Sequence, residues 1–77
     1  MLAIGTLAKR TGTKVQTIRY YEQIDLMPEP DRTEGGQRRY GITQLDRLAF
    51  IRHSRQLGFS LEAIRELLGL SDSPERS

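Results

Sequence analysis

Residues 4–23 read IGTLAKRTGTKVQTIRYYEQ, and this stretch decides the fold. Apolar side chains recur at helical spacing from Ile4 to Ala8 and again from Val15 to Tyr21. Gly12 separates the two patterns, because glycine takes the left-handed backbone that ends a helix at little cost. Two helices, at about residues 4–11 and 15–23, joined by a short turn with glycine are typical of a helix-turn-helix.

The pattern changes between Asp25 and Gly41. Pro28 and Pro30 exclude a helix there. Residues 34–37, Glu-Gly-Gly-Gln, predict a tight hairpin tip in which both glycines supply positive φ. The flanks, about 31–33 and 38–40, are short and cationic, without the apolar alternation that a core sheet requires. A small basic hairpin on a helical body predicts a wing.

The third helix is predicted to begin between residues 41 and 44 and to end near Gly58. Gly41 with Gln44, or Thr43 with Asp46, would each resemble a capping box at its start. Leu45, Leu48, Ile51 and Phe50 are the side chains expected to face inward.

Ser60 is predicted to cap a fourth helix that ends at Gly69. The polar residues 71–77 are expected to form a tail. We therefore predict one domain over residues 1–70. It is mainly α: a four-helix winged helix-turn-helix with a short two-stranded β-hairpin wing. The predicted core is Ile4, Leu7, Ala8, Val15, Ile18, Tyr21, Leu26, Leu45, Leu48, Ile51, Leu57, Phe59, Ile64, Leu67 and Leu68.

Composition narrows the classes of function. The chain has 77 residues and a net charge of +2, with the basic residues concentrated before Ser60. Such an imbalance weakly favours a polyanionic partner. The chain has no cysteine and one histidine, His53, so we expect no metal site and no cofactor. No carboxylate pair, nucleophile triad or phosphate loop is present, so we expect no enzyme. The lack of a long apolar run predicts a cytoplasmic protein without membrane contact.

Two clusters of side chains could bind DNA. In a helix-turn-helix, the second helix lies in the major groove. If its apolar face packs inward, the residues left facing out are Lys14, Gln16, Thr17, Arg19 and Tyr20. The wing adds Arg32, Arg38, Arg39 and Tyr40, which suit phosphate or the minor groove. The alternative is that both clusters are only solvated polar surface.

Several motifs in order resemble the mercury-resistance-regulator (MerR) family of bacterial transcription factors. They are residues 4–12 (Ile-Gly-x-Leu-Ala-x-x-x-Gly), 17–22 (Thr-Ile-Arg-Tyr-Tyr-Glu), 26–28 (Leu-x-Pro), 32–40 (Arg-Thr-Glu-Gly-Gly-Gln-Arg-Arg-Tyr) and 57–64 (Leu-Gly-Phe-Ser-Leu-x-x-Ile). Together they span roughly residues 2–70. The sequence departs from the family pattern at Ala3, Lys14, Asp25 and Gln37.

This resemblance implies a DNA-binding head, whose tail at residues 71–77 leads to a dimerisation helix and an effector region absent from this chain. It implies that Gln16, Arg19 and Tyr20 contact DNA from the recognition helix, and that Arg32 and Arg38 contact it from the wing. It also implies a homodimer on a pseudo-palindromic promoter, where RNA polymerase is the further partner.

We therefore expect sequence-specific binding of double-stranded promoter DNA, as part of a transcription regulator. An excisionase-like architectural accessory protein is the alternative, and a protein-interaction module is a third hypothesis. Because the sequence shows no heptad repeat and few apolar residues outside the predicted core, we expect this 77-residue chain to be monomeric by itself.

Overall fold

The computed structural model describes residues 1–72 and confirms the mainly α winged helix-turn-helix. The elements are, in chain order, α1 (Ile4–Thr11), α2 (Val15–Gln23), β1 (Asp31–Arg32), β2 (Arg38–Arg39), α3 (Ile42–Gln56) and α4 (Leu61–Asp72). The prediction that Gly69 ends α4 is wrong, because the helix continues through it to Asp72. Nothing around Gly69 obstructs a helix, and its φ is not positive. Residues 73–77 of the predicted tail lie outside the described residues.

The turn between α1 and α2 depends on Gly12. Its φ is 65°, and its N–H closes α1 by donating to Ala8 O. The left-handed backbone favours glycine, and a β-carbon at Gly12 would also lie 2.8 Å from Nη1 of Arg52, whose side chain would have to shift. Thr11 is buried beside this turn and donates from Oγ1 to Leu7 O at 2.9 Å. The sequence prediction for this turn is confirmed.

The core lies where α1 packs on α2 and α3, and where α3 packs on α4. Its buried apolar residues are Leu7, Ile18, Tyr21, Leu26, Met27, Tyr40, Leu48, Ile51, Ile64 and Leu68. Ile4, Ala8 and Leu45 pack against it as partly buried neighbours, as predicted.

Four residues predicted to face inward are exposed instead. They are Phe50 (41 %), Leu57 (65 %), Phe59 (43 %) and Leu67 (40 %). Two of them lie on the outer sides of α3 and α4, and the other two lie in the link between these helices. Two residues outside the helical stripes, Met27 and Tyr40, are buried in the core, although the sequence did not predict them there.

Both α3 and α4 have the predicted caps. At α3 the cap is Gly41 and not Thr43, and the Gly41 N–H donates to Oε1 of Gln44 at 2.8 Å, which is one of the two bonds of a capping box because glycine has no side chain to form the other. At α4, Oγ of Ser60 accepts the N–H of Ala63 at 3.1 Å. Within residues 1–72 no helix could cross a lipid bilayer, and the longest of them, α3, has 15 residues.

The wing is an antiparallel hairpin in which Asp31 pairs with Arg39 and Arg32 pairs with Arg38. At its tip only Gly36 has a positive φ, of 84°, so the prediction that both glycines do is wrong for Gly35. Each strand is one residue shorter than predicted: the carbonyl of Thr33 accepts the Gly36 N–H in the tip turn, and Tyr40 at the base of the hairpin forms a bridge with Leu2. The Tyr40 N–H donates to Leu2 O at 2.8 Å, and the Leu2 N–H donates to Tyr40 O at 2.7 Å.

Tyr40 is fully buried, which corrects its assignment as a DNA contact. Its ring lies in the core, and its hydroxyl donates to Oε2 of Glu22 at 2.6 Å. Burial raises the pKa of the Tyr40 hydroxyl, and the hydrogen bond to Glu22 raises it further. The phenol therefore stays protonated as a donor.

Asp25 follows α2 with a φ of 61°, the left-handed conformation that glycine adopts most readily. A residue with a β-carbon is strained there by about 1 kcal/mol. The conformation turns the chain so that the N–H groups of Leu26 and Met27 both donate to Tyr21 O. Arg65 of α4 donates to the carbonyls of Ile24 and Asp25, which holds the turn from outside.

Asp25→Gly should remove this strain and keep the backbone hydrogen bonds. We expect a stabilisation of about 1 kcal/mol, which raises the melting temperature by roughly 4–8 °C in a domain of this size. Asp25→Ala is the matched control, since alanine loses the carboxylate but keeps the β-carbon. Thermal unfolding followed by circular dichroism measures both. An equal gain for the two variants would show that the carboxylate, and not the backbone, is unfavourable.

Tyr40→Phe should keep the ring in the core and remove one donor from the buried carboxylate. We expect the free energy of unfolding at pH 7 to fall by about 1–3 kcal/mol. A raised pKa in the folded state means that the contribution of Tyr40 is complete below about pH 10 and declines as the pH rises through the folded value. The difference in free energy of unfolding between the wild type and Tyr40→Phe should therefore narrow at high pH. The other titrating groups are the same in both proteins, so their contributions cancel in this difference. Urea unfolding from neutral to alkaline pH tests this, and a constant gap would contradict it.

Candidate nucleic-acid interface

The outer face of α2 presents the first predicted cluster to solvent. Ile18 and Tyr21 are buried, and this fixes the opposite face outward. The side chains on that face are Lys14, Gln16, Arg19 and Tyr20, all exposed, with Thr17 half-buried beside them. In the part of the chain that the structure describes, the side chains of Gln16 and Arg19 form no hydrogen bond or ion pair. Their donors and acceptors are available to a ligand.

Two of the wing arginines lie along the hairpin. Arg32 is exposed, and its Nη1 donates to Gly36 O at 3.0 Å, so the guanidinium lies near the tip. Arg39 is half-buried, and its Nη2 donates to Oε1 of Gln37 at 3.2 Å. Each uses a small part of its hydrogen-bonding capacity on the wing itself, since a guanidinium has five N–H donors.

Arg38 differs from the other wing cations because it forms an ion pair. Its Nη1 lies 2.6 Å from Oε1 of Glu22, whose side chain is only 8 % exposed. Nη1 of Arg38 also lies 3.5 Å from the Tyr40 hydroxyl. The hydrogen bond to Tyr40, together with the charge of Glu22, raises the pKa of Arg38 against the opposing effect of burial. The sequence assigned Arg38 to DNA, whereas the structure engages it with α2.

The two predicted clusters meet in one groove. Arg19, Glu22 and Gln23 line it from α2, Arg38 lines it from β2, and Glu29 lines it from the segment between them. Lys14 and Thr17 lie elsewhere, at the start of α2. The groove thus brings together Arg19 of the first cluster and Arg38 of the wing. Two acids, Glu22 and Glu29, line the same groove.

A second groove contains cations that the sequence analysis did not assign to an interface. Arg52 and Arg55 of α3 line it, together with Lys14 and Thr17 at the start of α2. The two arginines are three residues apart and share one helical face, which the sequence does show. What the sequence does not show is that this face turns toward Gly12, where Nη1 of Arg52 donates to Thr11 O at 3.3 Å.

The sequence of residues 2–70 matches the family described as MerR HTH family regulatory protein. Among curated relatives, the HTH-type transcriptional regulator ZntR of Escherichia coli K12 is 56 % identical over 75 residues, which cover 97 % of this chain and 53 % of ZntR. The chain therefore spans about half the length of that relative. The similarity is to a transcriptional regulator, and it lends no support to the excisionase-like alternative.

Solved structures share the fold. The lead(II) complex of the transcription regulator PbrR691 from Ralstonia metallidurans CH34 matches with a TM-score of 0.89 and 47 % identity, over 100 % of this chain and 60 % of that one. HiNmlR, a MerR family regulator lacking the sensor domain and bound to promoter DNA, matches with a TM-score of 0.83 and 26 % identity, over 96 % of this chain and 59 % of that one. Family match, sequence identity and fold agree over the same residues. The chain therefore belongs to the MerR helix-turn-helix family of transcription regulators, and residues 2–70 form the DNA-binding domain of that family.

Proposed function

We propose that this chain binds double-stranded promoter DNA with α2 in the major groove and the wing on the adjacent backbone or minor groove. The observation that carries the proposal is the exposed polar face of α2 on a fold shared with promoter-bound HiNmlR. An exposed helix with free amide and guanidinium groups is what base reading in a major groove requires.

The residues of α2 have separate roles in this proposal. Gln16 reads adenine through its amide, and Arg19 reads guanine through its guanidinium. Thr17 contacts a thymine methyl or a base edge, while Lys14 and the hydroxyl of Tyr20 bind phosphate. Tyr20 is 49 % exposed, which leaves its hydroxyl accessible.

On the wing, Arg32 and Arg39 are the proposed phosphate or minor-groove contacts. Arg38 contributes to DNA binding only with the part of its guanidinium that Glu22 leaves free, since its side chain is 30 % exposed. Tyr40 is left out of the contact set because it is buried.

The further properties of the whole protein are proposed from the family. We propose a cytoplasmic homodimer that acts at a two-fold promoter site together with RNA polymerase, with no catalytic activity and no cofactor held by residues 1–72. The 77-residue chain is expected to be monomeric at micromolar concentration and to bind one half-site. Sedimentation as a stable dimer would contradict that expectation.

The salt dependence of binding tests the backbone contacts. If the interface neutralises about five phosphates, log K should fall against log salt with a slope of about −4 to −5. Arg32→Ala should weaken binding to all duplexes alike and make the slope about one unit flatter. Lys9→Ala on α1 is the control, since it removes one exposed positive charge from outside both clusters and should leave the slope unchanged. Fluorescence anisotropy with a labelled duplex measures these slopes, and a wild-type slope near zero would contradict the proposal.

Base reading is tested at Arg19, with a duplex selected from a random pool by the wild-type chain. Arg19→Ala should cost roughly 1–3 kcal/mol on the selected duplex and much less on random DNA. Arg19→Lys should keep the affinity for random DNA and lose the preference for the selected duplex, because lysine cannot bind guanine through a planar fork. Competition titrations give both affinities. Equal losses on the two duplexes would reassign Arg19 to a phosphate.

A further inference from the structure

We propose that Glu22 is a positioning residue for DNA binding: its carboxylate fixes the wing relative to the recognition helix without touching DNA itself. The inference rests on the proposed function and adds to it a residue that works through its neighbours. Glu22 is an acid on the helix that is proposed to approach the polyanion.

The carboxylate of Glu22 joins two elements. Oε1 accepts from Arg38 of β2 at 2.6 Å, and Oε2 accepts from the hydroxyl of Tyr40 at 2.6 Å. Among the side-chain hydrogen bonds of residues 1–72, these two are the ones that connect α2 to the hairpin. Each is charge-assisted, and such bonds are shorter and stronger than bonds between neutral groups.

The wing needs such a link because it has little structure of its own. Its strands are two residues long, and an isolated two-stranded hairpin is marginal in water. The bridge between Leu2 and Tyr40 holds the base of the hairpin to the N-terminus, but it does not connect the hairpin to α2. The Tyr40 ring packs in the same core as Ile18 and Tyr21 of α2, and the bonds of Glu22 add the polar contacts that fix the orientation of the wing toward α2.

A fixed orientation has a consequence for affinity. The recognition helix and the wing must contact one duplex at the same time, so their separation has to match the spacing between a groove and its backbone. If the wing is already ordered in the free protein, binding does not carry the entropic cost of ordering it, and the affinity for DNA is higher. Glu22 and Arg38 also neutralise each other, so the acid adds no net repulsion at the groove.

The same groove supplies a matched control. Glu29 lines it together with Glu22, but it is exposed, and within the described residues it forms no ion pair. Glu22→Gln and Glu29→Gln each remove one negative charge from this groove. Simple electrostatics predicts that both variants bind DNA more tightly. Loss of positioning predicts the opposite for Glu22→Gln alone, because the glutamine amide cannot hold the Arg38 guanidinium as a carboxylate does.

The experiment measures affinity and salt slope for both variants on the duplex selected by the wild-type chain. We expect Glu22→Gln to bind about tenfold more weakly, a loss of about 1.4 kcal/mol, with a slope flatter by about one to two units as wing contacts are lost. Glu29→Gln should bind as the wild type does or slightly more tightly, with the wild-type slope. General destabilisation would lower the bound fraction without changing the slope.

Glu22→Gln binding as tightly as Glu29→Gln, or with the wild-type slope, would overturn the proposal. If Glu22→Gln does not fold, Tyr40→Phe tests the proposal instead, since it removes one of the two hydrogen bonds to Glu22 and keeps the ring. Wild-type affinity and slope in Tyr40→Phe would also overturn the proposal.

Amide hydrogen exchange in the free chain gives a readout without DNA. The N–H of Thr33, which is bonded to Gln37 O, should exchange faster in Glu22→Gln than in the wild type. If the wild type binds no duplex at low salt, the proposed function is wrong. The hydrogen-exchange result still tests whether Glu22 orders the wing.

Discussion

The structure depends on the single tyrosine at the base of the wing. The ring of Tyr40 fills the core, its backbone pairs with Leu2, and its hydroxyl donates to Glu22 on the recognition helix. One residue thus joins three parts of the chain that are distant in sequence. Without it, a hairpin with two-residue strands would have no fixed relation to the helices, since it has too few ladder bonds to hold its own position.

The helices supply a rigid base for this arrangement. Gly12 allows α1 and α2 to turn sharply under Arg52, and the buried Thr11 satisfies its hydroxyl within α1. Asp25 makes a second sharp turn at the other end of α2, where its left-handed backbone directs Leu26 and Met27 into the core. The recognition helix is therefore defined at both ends by backbone conformations, and its outer face is left free for binding.

Much of this organisation follows from local sequence. The helical spacing of residues 4–11 and 15–23 and the glycine between them predict the helix-turn-helix, and the structure confirms its bounds. The cap at Ser60 was equally predictable, because it is decided by an interaction within three residues. The motifs also place the chain in its family. These features depend on short-range geometry, which amino-acid type and spacing determine.

The partners of side chains across the fold were decided only by the tertiary structure. From sequence, Arg38 and Tyr40 are two more polar wing residues, whereas in the fold one forms an ion pair with Glu22 and the other is buried. Leu57, Phe59 and Leu67 are apolar and suitably spaced, yet they are exposed, whereas Met27 and Tyr40 are buried in the core. A sequence determines which faces are apolar and which residues can turn the chain. Which side chains occupy a small core, and which cations keep free donors for DNA, depends on contacts between residues up to about forty positions apart, such as Arg52 with Thr11.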